Sequence, residues 1–143
     1  MPIAVPPSQI SSRLWVLAGI YFLASLAHFA HNAEYIAYYP NMPAGLSRGQ
    51  VYLVWLAISC VGFLGIALVR FGREAAGLAC LSAYGTLGLD GLGHYGLTLC
   101  SEHTFTMNAT IWSEAISGAV LACASGVLAV ARLVRPAAEG VGA

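Results

Sequence analysis

The sequence contains no lysine. All six basic residues are arginine, six residues are acidic, and the formal net charge is zero. A chain without a basic surplus has no electrostatic footprint for a nucleic-acid backbone, and no nucleic-acid-binding motif is present. Charge of either sign is scarce: 8 % of residues are charged, against roughly 25 % in soluble domains. That is too little to cover a globular surface in water. With 59 % hydrophobic residues, the composition describes an integral membrane protein.

Paired cysteines are missing too. Cys60, Cys80, Cys100 and Cys123 include no C-x-x-C spacing, which argues against a thiolate metal knuckle or a disulfide framework and for small packing residues. There is no internal repeat and no compositional break. Residues 1–143 therefore read as one transmembrane domain.

What the chain does have is four apolar runs, approximately 12–32, 51–70, 75–100 and 105–131. Each reaches the roughly 20 residues that a helix needs to cross about 30 Å of hydrocarbon. Helices satisfy their own backbone in lipid, so the expected fold is an all-α integral membrane four-helix bundle with up-down topology. The connection between the first two runs is the long one, and its Pro and Gly content marks a true loop. Arg13, Arg70, Arg73, Arg132 and Arg135 flank one side of this arrangement and Arg48 the other. That bias predicts cytoplasmic termini, as in a bacterial inner membrane. Tyr35, Tyr38, Tyr39 and Tyr52 fall at the opposite interface, where an aromatic belt is expected. Arg13 ahead of Leu14–Leu26, with the small residues Ser25 and Ala27, also has the outline of a signal peptide. An intact mass distinguishes that outline from a retained first helix.

Ionisable residues inside a membrane cost a few kcal/mol each and are usually paired or functional. At 1.5 Å rise per residue, His28 lies about 7 Å and His31 about 12 Å outward of the first helix midpoint. On the third helix Asp90 lies about 5 Å and His94 about 10 Å outward, and on the fourth Glu114 lies about 6 Å and Asn108 about 15 Å outward. All sit in the outer half, and the inner half holds only the flanking arginines. Asp90 and His94, four apart, are about 40° from each other on an α-helix and share a face. Tyr21, Ser25, His28, Asn32 and Tyr35 form a polar stripe that must turn from lipid toward the bundle. Gly85, Gly88, Gly91, Gly93 and Gly96 allow close approach around Asp90 and His94.

These placements predict a polar site that opens outward. One expectation is a divalent metal, zinc or iron, held by His28, His31, Asp90, His94 and Glu114, in an enzyme acting on a small lipophilic molecule. A second is metal-free acid–base catalysis by Asp90, Glu114 and His28 on an isoprenoid or sterol-like substrate, as in an isomerase or cyclase. Tyr21, Tyr95, Asn108 and Trp112 would shape the pocket. A haem b between histidines, or a non-catalytic subunit assembling with a membrane partner or a second copy, are the remaining alternatives. Glu34, Glu102 and His103 read as interface residues explained by solvation.

Overall fold

The computed structural model describes residues 12–134. Arg135 and both chain termini, on which part of the expected orientation rests, lie outside the described residues. Helix accounts for 86 % of the structure, and no strand occurs among the described residues. The elements are α1 (Ser12–Glu34), α2 (Arg48–Arg70), α3 (Glu74–Leu87), a short α4 (His94–Leu97) and α5 (Phe105–Val134), with 3-10 segments of three to six residues in the connections. Of these, α1, α2 and α5 are long and apolar enough to cross a membrane.

The ends of α2 follow from local chemistry. Ser47 and Gln50 form a reciprocal capping box, which starts the helix three residues before the apolar run. At the other end Gly72 takes a left-handed conformation, φ 76°. Arg73 N–H then donates to the Leu68 carbonyl at 2.8 Å, and Gly72 N–H to Val69 at 3.0 Å. This Schellman pair satisfies the last carbonyls and turns the chain within three residues.

The buried residues of α1 are spaced alternately four and three apart from Leu14 through Ala18, Tyr21, Ser25 and His28 to Asn32. That is the spacing of a seam that packs along the length of neighbouring helices. A similar seam on α5 runs through Met107, Ile111, Glu114, Gly118, Leu121 and Ser125. Glycine sets the closest approaches. A Cβ on Gly85 would lie 2.5 Å from the Gly118 carbonyl oxygen, and one on Gly77 would lie 2.7 Å from that of Gly65. So α3 packs backbone to backbone on both α5 and α2. Ion pairs close two corners: Glu74–Arg132 joins the start of α3 to the end of α5, and Glu34–Arg48 joins α1 to α2, each at 2.7 Å.

The expected continuous helix over 75–100 is where the structure departs from the sequence reading. α3 stops at Leu87, and Gly88–Gly93 winds as a six-residue 3-10 helix before α4. Glycine makes up half of that stretch, GLDGLG, and glycine in a helix interior favours the α form least of all residues except proline. In a 3-10 helix residues three apart eclipse one another. Gly88, Gly91 and His94 accordingly form one buried line, continuing from Gly85. The tighter coil lays that bare line against its neighbours: a Cβ on Gly88 would lie 2.6 Å from the Tyr21 ring.

Candidate functional site

The site forms where the seams of α1 and α5 meet the 3-10 segment. His28 and Glu114 are 2 % and 1 % exposed, and His28 Nε2 lies 3.6 Å from Glu114 Oε2. Gly91 closes this pair from the third side; a Cβ there would sit 3.1 Å from the carboxylate oxygen and 3.6 Å from the imidazole nitrogen. Neither carboxylate oxygen of Glu114 makes a hydrogen bond within the described residues, and neither does His28 Nδ1. A buried pair so sparsely satisfied is costly to stability.

Outward of the pair, His94 packs edge to face on His28 with ring centres 5.4 Å apart. The Asn32 amide donates to His94 Nε2 at 3.2 Å. His103 continues the row, with its ring centre 6.1 Å from that of His94 and its Nδ1 paired with the Leu99 carbonyl at 3.1 Å. Tyr39 packs against His94 at 5.0 Å between ring centres, and its hydroxyl pairs with His31 Nδ1 at 2.9 Å. Tyr39 is buried rather than interfacial. Burial, the main cause, holds its phenol up at about 12.

His28, Asn32, Asp90 and His94 all line one cavity of about 290 Å³. Its remaining walls are mostly apolar and include Phe29, Met42, Pro43, Leu46, Val51 and Val54. A pocket with apolar walls and a few convergent polar groups is the usual form of a site for a small lipophilic molecule. Asp90 is exposed at its rim, whereas His94 is buried. The shared α-helical face expected for these two does not exist, because four residues of 3-10 winding separate them by about 120° rather than 40°. Asp90 instead eclipses Gly93, which also lines the cavity.

The other expected site residues divide into separate groups. His31 is drawn to Tyr39 and stacks beside Tyr35, with ring centres 4.7 Å apart; it does not line the cavity. Tyr35, the expected outer end of the polar stripe, is exposed. Tyr21 is fully buried inward of the pair, packed on Tyr84 with ring centres 4.5 Å apart. Tyr95, Asn108 and Trp112 do not shape the cavity either. Tyr95 donates to Asn108 Oδ1 at 2.7 Å, and Asn108 Nδ2 donates to the carbonyls of Cys100 at 3.0 Å and His103 at 3.3 Å. That set staples the connection between α4 and α5. Trp112 stacks near Tyr95 and otherwise borders a shallow apolar groove with Leu17, Ile20 and Val120. Among the described residues, no group of three or more His, Cys, Asp or Glu side chains is arranged to hold a metal ion.

Sequence reasoning passed over three participants. Asn32 belonged to the stripe but was given no role, although it lies four residues after His28 on the same face. Tyr39 read as an interface aromatic. His103 read as a solvated interface residue, yet Thr104 caps the next helix through Met107 N–H at 3.2 Å, and this fixes His103 beneath the turn. Compared with protein families, with curated proteins and with solved structures, the chain finds no match.

Proposed function

We propose that this chain is an integral membrane enzyme that moves protons on a small lipophilic substrate by metal-free acid–base chemistry. The observation that carries this reading is the position of His28. Its imidazole lines the cavity, while its Nε2 stands 3.6 Å from the buried Glu114 carboxylate. The two stand just beyond hydrogen-bond reach, and an approach of a few tenths of an ångström would let a proton pass from one to the other. His94, which Asn32 contacts and which packs beside His28, and Asp90 at the rim are the further proton-handling groups that line the cavity. An isomerisation fits this equipment: one proton is added at one carbon, another is removed elsewhere, and no co-reactant is consumed.

In this reading the bundle has four crossings. The third is the composite of α3, the 3-10 segment and α4, which measures about 39 Å from the rises of the two helix types and suffices to span the hydrocarbon. Arg13, Arg70, Arg73 and Arg132 mark the cytoplasmic side, and the cavity opens toward the outer face of a bacterial inner membrane. What favours metal-free chemistry over zinc or iron is that His28 Nε2 faces the Glu114 carboxylate and His94 Nε2 is engaged by the Asn32 amide, so each imidazole has a protein partner of its own.

The test compares detergent-purified wild type with His94→Ala and Gly93→Trp by metal analysis and by mass spectrometry of an organic extract. Gly93 lines the cavity, and a Cβ there meets nothing within 4 Å, so the large side chain fills space without a backbone clash. The expected result is a lipophilic compound present in wild type and lost in Gly93→Trp, with no stoichiometric metal. Stoichiometric zinc or iron removed by His94→Ala would overturn the metal-free reading. An extract unchanged by Gly93→Trp would overturn the cavity as the binding site.

A further inference from the structure

The α1–α2 seam contains a second cavity, of about 230 Å³, inward of the first. Trp15, Gly19 and Phe22 of α1 and Ser59, Gly62 and Ile66 of α2 are among its walls. The outer cavity uses the same two helices one level higher, through His28 and Phe29 of α1 and Val51 and Val54 of α2. Between the two levels stand the rings of Phe22 and Trp55, with centres 5.5 Å apart. Two of the inner walls, Ser59 and Tyr84, are hydroxyl-bearing and buried.

We infer that the two cavities hold one molecule, a single-chain amphiphile whose compact polar head sits among His28, Asp90 and His94 and whose hydrocarbon tail runs past Phe22 and Trp55 into the inner cavity. The inference rests on the acid–base reading of the outer site and adds the class of substrate. Three observations support it. The inner chamber is lined almost wholly by apolar and aromatic groups, as a tail requires. It continues the outer site along one seam, with aromatic side chains rather than backbone at the boundary. From His28 to Trp15 the seam covers about 20 Å of helix, comparable to an extended chain of roughly fifteen carbons. A rigid polycyclic molecule does not follow such a path past a pair of rings. A flexible single chain does.

The test is photolabelling of the full-length protein in lipid nanodiscs with two probes. Each is a long-chain primary alcohol carrying a diazirine, one close to the hydroxyl and the other near the far end of the tail, with peptide mapping of the adducts. The near-head probe is expected on residues 42–46 or 90–97. The far-end probe is expected on residues 15–22 or 59–66, and excess unlabelled alcohol should compete with both. Gly19→Phe fills the inner chamber, where a Cβ meets nothing within 4 Å. It should abolish the far-end adducts and leave the near-head adducts intact, which also verifies that the variant is folded. Far-end adducts spread over lipid-facing positions such as Leu23, Leu53 and Leu56, or unaffected by Gly19→Phe, would overturn the tail inference and leave the outer site standing. Near-head adducts absent from the outer cavity would overturn the reading on which it rests.

Discussion

Gly91 leaves its α-carbon bare against the Glu114 carboxylate: an added Cβ would stand 3.1 Å from Oε2. The contact is with the far end of a side chain, which can shift by the few tenths of an ångström required. At Gly85 the corresponding obstacle is the Gly118 carbonyl at 2.5 Å, and backbone cannot move without parting α3 from α5. Gly91→Ala is therefore expected to change stability by less than about 1 kcal/mol, and Gly85→Ala to cost about 1–3 kcal/mol by overpacking. Denaturation in mixed micelles measures both. Equal costs would show that the glycine line is uniformly packed, and the distinction drawn at Gly91 would fail.

Glu114→Met combined with His28→Leu should leave the protein as stable as wild type or more so. Both side chains are almost fully buried, and the carboxylate oxygens lack hydrogen bonds within the described residues. Replacing both members of a sparsely satisfied buried pair by apolar side chains of similar volume is often neutral or stabilising. Thermal unfolding of the two proteins side by side provides the measurement. A large loss would mean that the pair holds the bundle together.

Tyr39 supplies a pH test outside the spanning helices. Its phenol is raised by burial from 10.0 to about 12, so the fold favours the neutral hydroxyl. The stabilisation is fully present below about pH 10 and disappears as pH rises through about 12, and it amounts to the order of 2 kcal/mol. Wild type should lose stability over that interval more steeply than Tyr39→Phe. Parallel curves for the two would refute the assignment. Below pH 10, Tyr39→Phe should cost about 1 kcal/mol through loss of the His31 hydrogen bond.

Cysteine labelling tests the orientation. Cys100 is exposed in the connection between α4 and α5, and its thiol donates to Asn108 Oδ1 at 3.3 Å. A membrane-impermeant maleimide added to intact cells should modify Cys100, and Asn108→Ala, which removes the staple, should accelerate the reaction. Cys60 and Cys123 are exposed only on the sides of α2 and α5, where lipid shields them. Modification of Cys100 only after the membrane is opened would reverse the proposed topology.

Much of this architecture was legible in the apolar runs. Hydrophobic length located α1, α2 and α5. Depth counted at a constant rise placed His28 and Glu114 at one level, and the structure puts them in contact. The counting failed where the rise was not constant. Through Gly88–Gly93 the coil is tighter, so angles computed for an α-helix misplaced Asp90 relative to His94. The spacing of Gly85, Gly88, Gly91 and His94, three apart throughout, was the available signal, and it is a 3-10 period rather than an α period. The cavity wall formed by Met42, Pro43 and Leu46 was illegible because loop conformation has no periodicity to read. Asn108 was misassigned for a related reason: its partners are carbonyls of Cys100 and His103, and backbone partners leave no trace in composition.

The 3-10 segment also makes the outer site a matter of winding. Six residues rewound as α-helix would shorten by about 3 Å and turn whatever follows by about 120°. His94 would leave the line it shares with Gly88 and Gly91, part from Asn32, and carry the rim of the cavity round with it. The pitch of these six residues thus sets the geometry of the site as a screw thread would.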